Sequence, residues 1–382
     1  MSDLLKVETI TNIEQLESLR SIWNLFSIHP STDLDYFLRV TAFKKNFLSP
    51  YIFVAKYNDK PVELLVGHLE KTILHLRLGY TKLLGIPIKQ ITVLCHGSEN
   101  LYSSEIATAL VDAIIRRLKS HHADMAILWG LLQDSALYVS ARRLPNILMR
   151  DHVPEIYPRW RLILPESFES FIARHRHSRR VMIKQLEKVG TDIEYKFFSR
   201  ADETSQFFAI AEKIASRSYQ RRLGGGFLNN EHDHRQIRNA ADKGWWRAWV
   251  LFVKDQPVAF WSGELYVNVF YGVWTAYDPL FRDYAVGNNL LFKLISDMCE
   301  QKVYAIDFDC GTAQYKERYC NEYLQGAAVR LYAPTFRGLC ANLLNSSSVC
   351  MNTSINSFLK RIGIINKIKG RIRKWKVSKI NN

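Results

Sequence analysis

Apolar positions along this chain switch between the period of strands and the period of helices, and the order of the switches repeats. Two continuous apolar runs, YIFVAKY at 51–57 and WVLFV at 249–253, have the β-branched and aromatic composition of buried strands. Each leads into the same eleven-residue pattern, D-x-P-V-x-x-x-x-G-x-L, as DKPVELLVGHL at 59–69 and DQPVAFWSGEL at 255–265. An Asp-x-Pro turn after an apolar run predicts a β-hairpin in both places. After each hairpin comes a strand candidate (Ile91–Cys95, Val269–Tyr277), then a helix candidate (Ser104–Lys119, Gly287–Glu300). A further strand candidate follows in each (Met125–Trp129, Val303–Asp309). The second helix shows its period in Leu290, Leu291, Leu294, Ile295 and Met298. The shared order predicts two copies of one α/β module.

The second copy carries the candidate chemistry. Asp278-Pro279 closes the strand Val269–Tyr277 with a turn, and the loop beyond it holds Arg282 before Gly287 opens the helix. A glycine at a helix start lets backbone N–H groups approach an anion, and the helix dipole favours phosphate there. Simple capping explains the same glycine equally well. In VYAIDFD, alternation places Asp307 and Asp309 on one face, with Phe308 on the other. Gly311, Tyr315 and Lys316 follow at the C-terminal end of the strand, where α/β sites usually sit. The competing reading makes the two aspartates caps for the next helix. The matching strand of the first copy, DMAILWG, ends without carboxylates and without a Tyr-Lys pair. The first module is therefore expected to be structural or acceptor-binding.

The run Tyr284-Ala285-Val286-Gly287, then Ile306-Asp307-Phe308-Asp309-Cys310-Gly311, then Tyr315-Lys316 resembles the GNAT superfamily. The resemblance is to its CelD-like acyltransferase branch, found with cellulose and exopolysaccharide biosynthesis. Family members show Tyr-Ser-Pro-Gly before a Leu-rich helix, then Phe-Asp-Phe-Gly-x-Gly and Tyr-Lys. Val286 stands where the family has proline, and Asp309 where it has glycine. The segment RWRLILPESFESFIARHRHSRRVMIKQLEKVG is also similar to the start of the family's catalytic module, so the resemblance covers roughly residues 160–335. It implies a mixed α/β (α+β) fold of two tandem GNAT-like modules, each a twisted mixed sheet flanked by helices. It further implies acyl-coenzyme A (acetyl-CoA) as cosubstrate, with no metal. The cofactor would lie along the strand edge at Trp274, Thr275 and Ala276 and at the helix start near Arg282, Gly287, Asn288 and Asn289. Asp307 or Asp309 would act as base, with Glu264 on the hairpin strand as the competing candidate. Tyr315 would protonate the leaving thiolate, and Lys316 would hold a phosphate or polarise the site. The acceptor implied is an amine or hydroxyl on a sugar-derived small molecule or glycan precursor. The paired-module plan is shared with FemAB-like aminoacyl-tRNA-dependent transferases, which stand as the alternative beside a non-catalytic binding module that kept the fold.

Length and charge refine this picture. A chain of 382 residues suits two modules, expected at 1–158 and 159–335, with a separate tail at 336–382. The net charge of +15 is unevenly placed: residues 323–382 hold eleven Lys and Arg and no acid, leaving 41 basic against 37 acidic residues before them. In the final segment Phe358, Ile362, Ile365, Ile368, Ile372 and Trp375 fall on one helical face, with cations elsewhere. That pattern predicts attachment of residues 357–382 to an anionic membrane surface; a solvated tail helix is the alternative. No recognised RNA- or DNA-binding fold accompanies the charge, which disfavours nucleic acid as partner. No apolar run approaches the ~18 residues of a membrane span, and the start MSDLLKVETI lacks a signal-peptide pattern. The protein is expected in the cytoplasm, peripheral on the inner face of the membrane if the tail binds it.

Two further segments are candidates for binding. Ser178 can cap the helix RRVMIKQLEK, whose Arg180, Lys184 and Lys188 share a face at four-residue spacing. That face is either a groove for an anionic ligand or a solvated surface. The stretch with Gly224, Gly225 and Gly226 permits unusual backbone angles and a loop that closes over an acceptor. Six cysteines without C-x-x-C spacing, and the pairs His121-His122 and His232/His234 without acidic partners, do not form a metal pattern. Cys310 is expected to fill a tight turn.

Overall fold

The computed structural model describes residues 5–78, 81–96, 103–190, 192–222 and 225–361. It divides into two compact units: unit 1 is Met1–Tyr157 with Gln325–Ile365, and the body of unit 2 is Pro158–Leu324. The predicted mixed α/β architecture is present in both.

Unit 1 is built on the strands β1 (Leu5–Ile10), β2 (Phe47–Pro50), β3 (Ile52–Tyr57), β4 (Lys60–Leu78), β5 (Thr81–Leu94) and β6 (Met125–Leu132). They pair in the order β1-β3-β4-β5-β6, with β2 alongside β4. The hairpin β3–β4 turns on Asn58 and Asp59, both with positive φ (47° and 62°). That backbone matches the right-handed twist of the flanking strands, so a two-residue turn suffices. Side chains alternate across the sheet. Phe53, Leu65 and Val93 pack under the helices Ser104–Lys119 and Ala136–Arg143. Val54, Leu64 and Val66 pack on the other face with Trp23, Leu34 and Phe37. Beyond the core, β4 and β5 continue as a long two-stranded ribbon paired from Glu70–Gln90 to Leu78–Thr81.

Unit 2 repeats the element order on β7 (Glu155–Ile163), β8 (Ile193–Phe198), β9 (Trp246–Val253), β10 (Gln256–Tyr266), β11 (Val269–Tyr277) and β12 (Ala305–Cys310). The order is β7-β12-β11-β10-β9-β8. Its β9–β10 hairpin turns on Lys254 and Asp255 with φ of 48° and 62°, so the repeated Asp marks the same positive-φ turn in both units. Trp261, Phe270, Ile306 and Phe308 pack beneath the helix Val286–Glu300. Phe260, Ala248 and Ala276 face the helices Thr204–Ala215 and Glu231–Asp242 on the other side.

A last strand, β13 (Glu322–Tyr332), carries the chain out of unit 2, and its residues Gly326–Tyr332 pair with β6 in unit 1. The helix Phe336–Arg361 then joins unit 1: the Arg77 N–H donates to Ser348 Oγ at 3.0 Å, and Asn352 Nδ2 donates to the Arg77 carbonyl at 2.8 Å. The chain thus returns to unit 1 at residue 325, ahead of the module end expected at 335. Of the tail expected at 336–382, only the part up to Arg361 lies within the described residues. Ile362, Ile365, Ile368, Ile372 and Trp375, with Gly224, lie outside them.

Candidate functional site

The site begins where two parallel strands part. β11 and β12 share three registered pairs, Val269–Ala305, Phe270–Ile306 and Tyr271–Asp307, and no more, although β11 runs on to Tyr277. Both strands contribute to the opening. The register of β10 against β11 slips between Ser262 and Gly263, which leaves Val273 as a bulge. The glycine is needed there, because a Cβ on Gly263 would lie 2.2 Å from the Tyr271 carbonyl oxygen. On the other side, Asp309 takes a left-handed φ of 54° and turns β12 away.

Past the bulge, the Asp278 N–H donates to the Val258 carbonyl at 2.8 Å, which fixes the direction of each neighbouring residue's backbone groups. Strand alternation then points those of Thr275 and Tyr277 toward the opened side, and those of Ala276 back into the ladder with β10. At that edge the Thr275 carbonyl accepts the Gln220 side-chain amide at 3.2 Å. Only Thr275 of the three expected edge residues therefore offers its backbone to a ligand. Ala276 is core, and Trp274 packs edge-on to Phe227, ring centroids 6.0 Å apart.

The helix Val286–Glu300 starts beside this edge. Its cap, Ala285, sits at φ 53°, ψ 29° and supplies no side-chain hydrogen bond to the first turn. A 3₁₀ turn, Pro279–Tyr284, delivers the chain into this geometry and exposes Arg282 next to it. The first-turn N–H groups of Gly287 and Asn288 thus lack a capping side chain, the condition under which a helix start binds an anion. A Cβ on Gly287 would meet the Tyr277 ring at 3.5 Å, an ordinary contact. Asn289 has a different role from the one expected. It is buried and donates to the carbonyls of Met182 (3.3 Å) and Ala285 (3.1 Å), tying its helix to Arg176–Glu187. That second helix begins two residues before Ser178 and has no side-chain cap, so Ser178 is not its N-cap.

The carboxylates separate sharply by environment. Asp307 is 1% exposed; Arg159 donates to it at 2.7 Å, Arg161 at 3.3 Å, and the Asp309 N–H at 2.8 Å. Burial pushes its pKa up, but the charge and hydrogen bond of Arg159, with Arg161, outweigh burial and hold the carboxyl below its usual range. A carboxylate so stabilised has little appetite for a proton, so Asp307 serves as an ion-pair anchor rather than as a base. Asp309 does not share its face, because the left-handed backbone breaks the alternation and leaves Asp309 exposed. Lys316 is also committed to structure. Its ammonium is buried and donates to the carbonyls of Phe308 (2.7 Å) and Cys310 (2.8 Å), closing the end of β12 rather than facing a phosphate. Desolvation lowers its pKa. Tyr315 packs edge-on against Trp261 and Phe308, each at 5.6 Å, and burial raises its phenol pKa, which keeps the proton in place.

Glu264 is the carboxyl with the opposite tuning. It is 5% exposed, and among the described residues its side chain accepts from Gln236 Nε2, 3.5 Å away on the helix Glu231–Asp242. Desolvation pushes its pKa up to about 7. The sheet register sets it in a transverse row: Glu264 lies opposite Tyr271, Tyr271 opposite Asp307, and Asp307 opposite Arg161. Paired residues point to the same face, so this row is one surface, with Glu264 and Asp307 about 10 Å apart across two strand spacings. Arg159, Arg161, Tyr271, Gln236 and Gln220 were not read from the sequence. Arg159 and Arg161 did leave a signal there, two cations at a spacing of two in the segment that folds as β7.

Comparison with known proteins fits this geometry. Residues 173–317 match the family described as acetyltransferase (GNAT) domain. The match spans Gln220, Glu264, the β11 edge, the helix start at Gly287, Asp307 and Tyr315. No protein of curated function matches the sequence. Among solved structures, FemX aligns with a TM-score of 0.54 at 10% identity, covering 85% of this chain and 96% of its own. A conserved protein of unknown function from Bacteroides thetaiotaomicron aligns with a TM-score of 0.50 at 11% identity, covering 86% and 100%. A tandem GNAT protein from the clavulanic acid pathway aligns with a TM-score of 0.43 at 11% identity, covering 87% and 99%. At such identities the likeness to FemX and the Bacteroides protein is one of fold.

Proposed function

We propose that the protein is a GNAT-type N-acyltransferase that moves an acyl group from acyl-coenzyme A to an amine, or a hydroxyl, of a sugar-derived acceptor. The observation that carries this reading is the opened β11–β12 seam beside an uncapped helix start. The outward-facing Thr275 N–H and the backbone groups of Tyr277 would pair with the amides of an extended pantetheine arm, as an added strand pairs with a sheet edge. The N–H groups of Gly287 and Asn288, with Arg282, would meet the phosphates. The family match over residues 173–317 supports the same reaction class.

Glu264 is the base in this scheme. An amine reaches neutral pH as an ammonium ion and must lose a proton before its lone pair can attack the thioester carbonyl. With a pKa of about 7, Glu264 is substantially ionised at neutral pH and still holds a proton well enough to take one. As the new C–N bond forms and the C–S bond breaks, the departing thiolate takes up a proton from solvent. Asp307 keeps Arg159 and Arg161 in place and so fixes the end of the row. The sugar-derived acceptor class rests on the sequence resemblance to the exopolysaccharide branch.

The test is thiol release from acetyl-coenzyme A with glucosamine as acceptor. Glu264→Gln is expected to lower turnover by about 10²–10³-fold, the usual range for a positioned proton acceptor. The wild-type rate should fall as pH drops through about 7, where Glu264 takes up its proton, and the variant should lose that dependence. Turnover by Glu264→Gln within about threefold of wild type, under roughly 1 kcal/mol of barrier, would remove Glu264 from the chemistry.

A second reading, a FemAB-like transferase fed by aminoacyl-tRNA, is favoured by one feature. Arg176, Arg179, Arg180 and Lys184 line an open groove of about 390 Å³ with Ile172 and Ile183. Activity that depends on charged tRNA and disappears with ribonuclease would select this reading over the first.

A further inference from the structure

Unit 1 exposes an apolar surface where its last helix meets the loop after Ala136–Arg143. One side of the helix Phe336–Arg361 is buried in the unit through Ala341, Leu344, Asn345 and Ser348. On the opposite side, Phe336 is 83% exposed and Leu343 is 70% exposed, with Leu339 between them at helical spacing. Asn342 Nδ2 donates to the carbonyls of Leu148 (3.0 Å) and Arg150 (3.1 Å), which fastens the neighbouring loop to this helix. Ile147 and Leu148 of that loop are 71% and 53% exposed. Single exposed apolar side chains are ordinary, but two adjacent segments presenting five of them form a patch that needs an occupant.

The charges around the patch select the occupant. Arg143 and Arg337 are exposed immediately beside Leu144 and Phe336. A second copy of the chain, docking through the same face, would bring Arg143 and Arg337 against their counterparts. Nucleic acid would accept the cations but offers no apolar surface to Phe336 and Leu343. An anionic bilayer satisfies both at once: apolar side chains enter the interface, and cations meet the headgroups. No helix among the described residues is long and apolar enough to cross a membrane.

We propose that unit 1 docks on an anionic membrane surface through Phe336, Leu339 and Leu343 with Ile147 and Leu148, and that Arg143 and Arg337 meet the headgroups. Sedimentation of the full chain with vesicles tests this. The chain should pellet with phosphatidylglycerol–phosphatidylcholine vesicles and much less with phosphatidylcholine alone. Phe336→Ser with Leu343→Ser should weaken binding to the anionic vesicles by about tenfold, since both side chains lose most of their apolar area. Ile147→Ser with Leu148→Ser should weaken it in the same direction, which guards against a fault in the helix alone. An unchanged melting temperature would show that either pair leaves the fold intact. Failure of the wild-type chain to bind anionic vesicles would overturn the proposal, as would equal binding by wild type and both double variants. A concentration-dependent dimer that Phe336→Ser with Leu343→Ser abolishes, without vesicle binding, would overturn it in favour of self-association.

Discussion

The two units contain the same seam in two states. In unit 1 the parallel strands β5 and β6 stay in register through five pairs, from Gln90–Met125 to Leu94–Trp129, and the Cys95 N–H adds one more bond to the Trp129 carbonyl at 2.7 Å. In unit 2 the matching strands part after three pairs. The helix starts differ in the same sense: Ser103 Oγ accepts the Ile106 N–H at 3.2 Å in unit 1, whereas Ala285 in unit 2 supplies no such bond. Among the described residues, unit 1 carries the pairing on to Cys95 and caps its helix start, and unit 2 does neither. A ligand that needs an open strand edge beside a free helix start can use unit 2 and not unit 1. The two scaffolds share one element order, and a bulge at Val273 with a left-handed Asp309 separates the open seam from the closed one.

The largest effect should come from the anchor of the open seam. Asp307→Asn leaves the buried Arg159 without its carboxylate, and thermal or urea unfolding should report a loss of about 3–5 kcal/mol. If instead stability is unchanged and only turnover falls, Asp307 is chemical and the division of roles between Asp307 and Glu264 fails.

A smaller and pH-dependent effect should separate the buried carboxyls of the two units. Glu63 in unit 1 is 4% exposed, and desolvation raises its pKa to about 7, as it does for Glu264 in unit 2. Both folded pKa values lie above the ordinary value of 4.5, so the folded protein holds these protons longer than the unfolded chain. Their protonated forms support the fold fully below that value, and the support is lost as pH rises toward 7. Wild-type stability should therefore decline over that window, by up to about 3 kcal/mol for each group. Glu63→Gln should remove about half of the decline and leave the pH dependence of turnover alone. A change in the rate profile would place unit 1 inside the chemistry.

The smallest effect concerns the position in unit 1 that matches Glu264 in the repeated pattern. His68 occupies it, held 2.6 Å from Lys44 Nζ, and Lys44 in turn pairs with Glu70 at 2.8 Å. Acyl transfer by His68→Gln should stay within about threefold of wild type. A loss comparable to that of Glu264→Gln would mean that both copies carry chemistry.

The sequence exposed the repeat because its signals are local: an Asp in a two-residue turn, a glycine where strands crowd, and apolar runs of fixed period. It placed Val269–Tyr277 and Ser104–Lys119 at the bounds the structure has. What it missed depends on contacts between distant residues. Asp307 looked like a free base because Arg159 and Arg161, about 150 positions earlier, are brought to it only by the pairing of β7 with β12. Lys316 looked free because the carbonyls it closes belong to a strand end bent out of period. Glu264 was visible only as a competing candidate, since burial, not spacing, sets its proton affinity. The long β4–β5 ribbon was read only at its Ile91–Cys95 end. The first part of the expected tail folds as a helix of unit 1, because Ser348 and Asn352 find backbone partners at Arg77 in that ribbon.

Calorimetric titration of the full chain with acetyl-coenzyme A tests the central claim most directly, using two matched substitutions at the helix starts. Gly287→Glu puts a negative charge at the open start in unit 2, where a side chain has room, and Ser104→Glu puts the same charge at the capped start in unit 1. One molecule should bind per chain, with affinity lost by about a hundredfold or more in Gly287→Glu and unchanged in Ser104→Glu. Two molecules per chain, or wild-type affinity in Gly287→Glu, would contradict the account.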